Sequence, residues 1–168
     1  MPIFDELAKP HDLWHESAPW PRRRAESLLA RFRVAFPRIQ YDLLWEPRTI
    51  NAQAFHGTHG PTVRLYGGLG RHRRAGLESI ALALAHETGH HLGGAPRHPL
   101  YKSISSEEQA DAWAMTVGLP QLFGQRRAER FVLIGRQQLH AIISSWMGKA
   151  SYGMLSACFP TAKAVDSL

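Results

Sequence analysis

The chain has 168 residues, a formal net charge of +6, 44% hydrophobic residues and 20% charged residues. That length suits a single domain with a real core, and the composition excludes wholesale disorder. No apolar run approaches the roughly 18 residues of a membrane span, the start MPIFDELAKP lacks the features of a signal peptide, and the single cysteine, Cys158, excludes an internal disulfide framework.

A cytoplasmic location is therefore expected, although non-classical secretion would leave the same trace. No contact with membrane is expected. The arginines cluster in PRRRAES, GRHRRAG and GQRRAER. Such patches could touch nucleic acid or an acidic partner. Solvated helix ends and loops are the preferred reading, because no aromatic-interleaved RNA motif, zinc-finger spacing or phosphate-binding glycine loop accompanies them.

Residues 1–21, rich in proline and tryptophan, read as an arm laid across the domain. A helix follows over about Ala25 to Ala35, with Leu28, Leu29 and Phe32 on one stripe. RIQYDLLWE and TINAQAFHG read as strands separated by Pro47, and PTVRLYGGL as a third strand ending in a Gly-Gly break. A helix is expected from about Gly76 to Leu92, stopped by Gly93, Gly94 and Pro96. A second helix spans about Ser105 to Val117, ended by Gly118 and Pro120. A long third helix covers about Arg126 to Met147, and a short element surrounds YGMLSACF. The order helix, small sheet, helices predicts one α+β domain over residues 1–168.

The chemistry concentrates in ALAHETGHHLGG, residues 83–94. On a helix, His86 and His90 lie one turn apart on the same face, so both rings can reach one ion. Glu87 projects beside the first of them, where it can hold a water activated by the metal. The flanking SIALALA is apolar nearly all round, which marks a buried helix. Burying a carboxylate and two imidazoles there without partners costs several kcal/mol, roughly, and a bound cation removes most of that penalty. Further on, SSEEQADAWA places Glu107 and Asp111 four residues apart on one helix face, a mutually repulsive pair unless cations are near. The pair makes sense if Glu107 ligates the metal and Asp111 accepts the other ring N–H of a ligand histidine, His86 being the choice. Adjacent helical residues point about 100° apart, so Glu107 and Glu108 cannot both face the ion.

HETGH followed by EEQAD resembles the gluzincin metallopeptidases, whose signature is an HExxH helix and a later glutamate helix of form E-x-x-A-D. INAQAF, VRLYGGL and HETGHHLGGAP are similar to a stretch of bacterial gluzincin-type peptidases, and ADAWAMTVGLP resembles the ImmA/IrrE-like peptidases. The resemblance covers about Asn51 to Pro120. It implies a compact zincin-like fold and one Zn2+ per chain on His86, His90 and Glu107. It implies Glu87 as the general base of a peptidase that acts on a peptide or protein substrate through a metal-activated water. It also implies that an edge strand near TVRLY, with Val63, Arg64 and Leu65, pairs with an extended substrate.

For the other candidate residues plain packing is the competing role. HDLWH, His11 to His15, mimics the zinc motif but sits between prolines and lacks a paired downstream acid. His91 should point away from the metal. His98 and Tyr101 fall between the two site helices, where a transition-state donor would sit, and Tyr101 is the preferred one. His56 and His59 look like turn residues, and His140 like a core or surface histidine. Two rival functions remain open: a regulator with a structural metal that binds a partner without turnover, and an arginine-rich nucleic-acid binder. The oligomeric state is unknown from sequence.

Overall fold

A computed structural model describes residues 8–147 of the chain; the short element expected around YGMLSACF lies outside them. The architecture is α+β in one small domain, with a three-stranded mixed sheet packed against helices.

The chain enters through a 3-10 turn, Pro10–Asp12, and then helix α1, Pro19–Ala35. The expected arm is therefore shorter than 21 residues. Pro19 and Pro21, which fall within the expected arm, occupy the first helical turn, where a missing N–H costs nothing and the fixed φ suits a helix. The arm packs on the domain through a bridge between Leu13 and His72, and Trp14 lies against the Arg73 guanidinium at 4.1 Å. Leu28, Leu29 and Phe32 of α1 are buried as their spacing requires.

Strands β1 (Gln40–Leu44), β2 (Ala52–Gly57) and β3 (Gly60–Tyr66) lie in the order β1-β3-β2. β3 pairs in parallel with β1 and antiparallel with β2. This corrects the expectation that Val63, Arg64 and Leu65 belong to an edge strand open to substrate. Residues Thr62 to Tyr66 have a neighbour on both sides; Val63 and Leu65 are fully buried, and Arg64 makes a two-pronged contact with Asp42 of β1. The alternation of apolar and polar residues that suggested a half-open edge is equally the pattern of a central strand with one wet face. β2 is the edge strand that packs beside α3.

After β3 the Gly-Gly segment forms a helical turn, α2 (Gly67–Arg71), rather than a simple break. Helix α3 (Leu77–Leu92) runs through the centre, buried continuously from Ser79 to His90. Helix α4 (Glu107–Trp113) begins at Ser106, whose hydroxyl caps the Gln109 N–H. The chain does not stop at Gly118 and Pro120. A π-helical turn, Ala114–Gly118, leads directly into α5 (Leu119–Phe123), and the wider turn accommodates the N–H that Pro120 lacks. Helix α6 (Gln125–Met147) closes over α3. Leu65, Ile80, Leu82, Leu84, Leu119 and Ile142 build the core between these elements. Among the described residues, no helix is long and apolar enough to cross a membrane.

Candidate metal centre

Two helices supply the centre, and their close approach depends on a glycine. A Cβ added at Gly89 of α3 would lie 2.5 Å from the Ala110 carbonyl oxygen of α4. Only a residue without a side chain lets the two backbones touch there. Thr88, beside Gly89 in HETGH, is also accounted for. Thr88 donates to the Leu84 carbonyl at 2.7 Å and accepts the Tyr41 hydroxyl at 2.9 Å, so it ties α3 to β1. Burial pushes the Tyr41 pKa up, against the smaller opposite effect of that bond.

With the helices so close, one oxygen of Glu107 faces both histidines. Glu107 Oε2 lies 3.2 Å from His86 Nε2 and 3.6 Å from His90 Nε2. Two ligands about 2.0–2.1 Å from a tetrahedral ion stand about 3.3 Å apart, so these separations suit a zinc-sized ion. His86, His90 and Glu107 are the one group of three donor residues within reach of a common ion among the described residues, and they could hold a metal. Glu108 is exposed beside them.

The outer ring nitrogens are fixed. His86 Nδ1 lies 2.6 Å from Asp111 Oδ1, and His90 Nδ1 donates to the Ser105 carbonyl at 2.9 Å. Both partners require Nδ1–H, which turns each Nε2 lone pair inward; this is the arrangement metal-binding histidines use. Ser105 also donates its N–H to the His90 carbonyl, at 2.7 Å, so one peptide unit holds that residue twice.

The electrostatics match a site built for a cation. Burial opposes a charge on His86, but hydrogen bonds to Asp111 and Glu107 and the nearby Glu87 outweigh it and push its pKa up to about 10. Hydrogen bonds to His86 and His90 hold Glu107 well below the usual carboxylate range. Glu87 moves the other way: complete burial raises its pKa, against the pull of His86 and His90. Its Oε2 accepts the Ala54 main-chain N–H at 2.7 Å, while its buried Oε1 has no hydrogen-bond partner among the described residues.

Of the two candidate donors between the helices, the structure brings His98 to the centre. His98 is buried, its Nδ1 accepts the N–H groups of Leu100 and Tyr101, and its Nε2 lies 4.0 Å from Glu107 Oε1. Two donors on Nδ1 put the proton on Nε2 and aim it at the site. Tyr101 is half exposed, its ring resting against the His98 ring at 5.0 Å. Its contribution is a platform and an N–H. Sequence alone favours Tyr101 because the His98 orientation comes from loop backbone, which leaves no side-chain signature.

The remaining histidines lie elsewhere. His91 donates to the Thr62 carbonyl and meets His56 edge-on, on the sheet side of α3. His59 sits in the exposed β2–β3 turn, and His140 is exposed on α6. His15 bonds Ser17, and His11 lies 3.8 Å from Asp12; HDLWH gathers no group of three donors among the described residues.

No protein-family model, curated protein or solved structure matches the chain.

Proposed function

We propose that the protein is a zinc-dependent peptidase of gluzincin type, with His86, His90 and Glu107 holding the ion and Glu87 as general base. One observation carries this reading. A fully buried carboxylate lies beside a set of three metal donors, has one oxygen without a hydrogen-bond partner among the described residues, and belongs to none of the contacts that build the donor set. A structural zinc site closes its fourth position with a protein ligand; three donors with a base alongside are the catalytic pattern.

Bound zinc would supply a Lewis acid that polarises a carbonyl and acidifies water. The residues of the chain do the rest. Glu87 Oε1 takes a proton from the attacking water and returns it to the departing nitrogen, a role favoured by burial, which raises its pKa. Asp111 and the Ser105 carbonyl keep the ligand rings in one tautomer. His98 Nε2–H faces the cleft, where it can donate to the carbonyl oxygen of a substrate. The edge of β2, running past Glu87, is where an extended peptide adds as a further strand.

The test is a metal analysis of the purified protein beside a peptide-library digest with and without chelator. About one zinc per chain and chelator-sensitive cleavage are expected. Bound zinc without cleavage of any peptide would favour the partner-binding regulator instead.

A further inference from the structure

The two oxygens of Glu87 have different surroundings, and the sheet explains why. Pro61 has no N–H and stands opposite His56 in the β2–β3 ladder. Antiparallel ladders alternate hydrogen-bonded and non-bonded pairs. His56 with Pro61, Ala54 with Val63 and Ala52 with Leu65 therefore all fall in the non-bonded class. The peptide groups of Ala52, Ala54 and His56 point away from β3, toward the outer side of β2. At Ala54 that outward N–H meets Glu87 Oε2 at 2.7 Å, in a setting where both residues are buried.

We propose that Ala54 is a positioning residue: its main-chain N–H clamps Oε2 of Glu87, presents Oε1 alone to the reacting water, and sets the register of an added substrate strand. The proposal rests on the peptidase reading and deepens it. A carboxylate turns about its last side-chain bond with little resistance; one pinned oxygen removes that freedom, and burial keeps water from competing for the N–H. The same bond limits what the edge can offer. A substrate strand finds at Ala54 a carbonyl acceptor but no free N–H. It must bring an N–H of its own to that point, so proline or an N-methylated residue there is excluded. The specificity is for an extended peptide with an unsubstituted amide facing Ala54.

Amide hydrogen exchange tests the clamp without any need for turnover. The Ala54 and His56 amides both point away from β3, but Ala54 is buried and His56 is exposed, so the clamp is read from how Ala54 exchange responds to loss of its acceptor. In the wild type Ala54 should be protected by at least about tenfold over His56. Glu87→Ala should abolish that protection, and Glu87→Gln, whose amide oxygen still accepts, should keep most of it. Equal exchange at Ala54 and His56 in the wild type, or protection that survives Glu87→Ala, overturns the proposal.

Kinetics on the zinc-loaded protein supply the second arm. Ala54→Pro removes the N–H and keeps the carbonyl, and breaks no ladder bond to β3 because Ala54 stands in the non-bonded class. Zinc content and KM should stay near wild type while kcat falls by at least about tenfold. A raised KM with kcat unchanged would mean that the N–H binds substrate, and would overturn the assignment. Should Ala54→Pro not fold, the exchange comparison decides. Absence of hydrolysis by the zinc-loaded wild type sinks the peptidase reading and the register claim, and the exchange data then judge the clamp by themselves.

Discussion

Asp111 reaches from α4 to within 2.6 Å of His86 Nδ1 on α3, and the same helix, one turn earlier, brings Glu107 to the other nitrogen of that ring. One imidazole is thus gripped on both edges by a single helix face. The i, i+4 relation of the two carboxylates serves to bracket the ring, and each has a separable effect. Asp111→Asn should cost about 10–100-fold in metal affinity or activity, as changes behind a metal ligand do. Glu107→Gln should weaken metal binding and activity together, while Glu108→Gln, on the exposed side, should change little. Metal titration of the three variants checks this; loss of metal from Glu108→Gln would mean that the helix presents the wrong face.

Metal loading should release protons. With its pKa pushed up to about 10, His86 carries a proton near neutral pH in the metal-free protein, and an ion can bind only the neutral ring. Affinity should rise by about tenfold per pH unit for each proton displaced and flatten above that pKa. The sign for stability is the reverse. A folded-state pKa above the unfolded value of about 6.5 stabilises the metal-free fold fully below that value, and this contribution is lost as pH climbs through about 10. Calorimetric titration in buffers of different ionisation enthalpy measures the proton count; a count of zero would contradict it.

Chelation should lower the melting temperature. An ion bound only by the folded state adds roughly 4 kcal/mol when its free concentration is a thousandfold above Kd. Thermal melts with and without chelator report this directly. Unchanged melting of a protein shown to contain metal would place the ion outside the centre described above.

Glu87→Gln should keep the metal, because His86, His90 and Glu107 remain, and should lower kcat by about 10²–10⁴-fold, the usual worth of a general base. Retained turnover with metal bound would remove Glu87 from the reaction.

His98 and Tyr101 should separate cleanly. Tyr101→Phe keeps the ring that supports His98 and the N–H that binds its Nδ1, so turnover should barely change. His98→Ala removes the Nε2–H and should lower kcat by about 10²-fold if that group donates to the transition state. A large loss in Tyr101→Phe with none in His98→Ala would reverse the two roles.

What could be read in the sequence follows the range of the interactions involved. His86 and His90 share a face because helical periodicity is local, and Glu107 is distinguished from Glu108 by its spacing to Asp111. The helix over Gly76 to Leu92 is equally local, its apolar surround marking burial. Strand order is not local. Nothing within PTVRLY distinguishes a central strand from an edge, since both alternate; the difference lies in whether β1 also docks, and that is settled by packing at long range. The start of α1 was hidden because Pro19 and Pro21 break helices everywhere except in the first turn, where they stand. Pro120 misled in the same way, because a π-helical turn relieves the constraint that normally ends a helix.

The contact between Gly89 and the backbone of Ala110 has a consequence for how this protein can change. The separation of the ligand-bearing helices is set where main chain meets main chain, by atoms that no substitution can resize. Core side chains such as Leu82 or Ile142 can be exchanged for others, with the usual losses in stability, while the distance from His90 to Glu107 stays gauged by that hard stop. Thermal robustness and ligand geometry are thus tuned by different residues. A lineage carrying this contact can drift in its core without detuning its donor set, and Gly89 is the position at which that freedom ends.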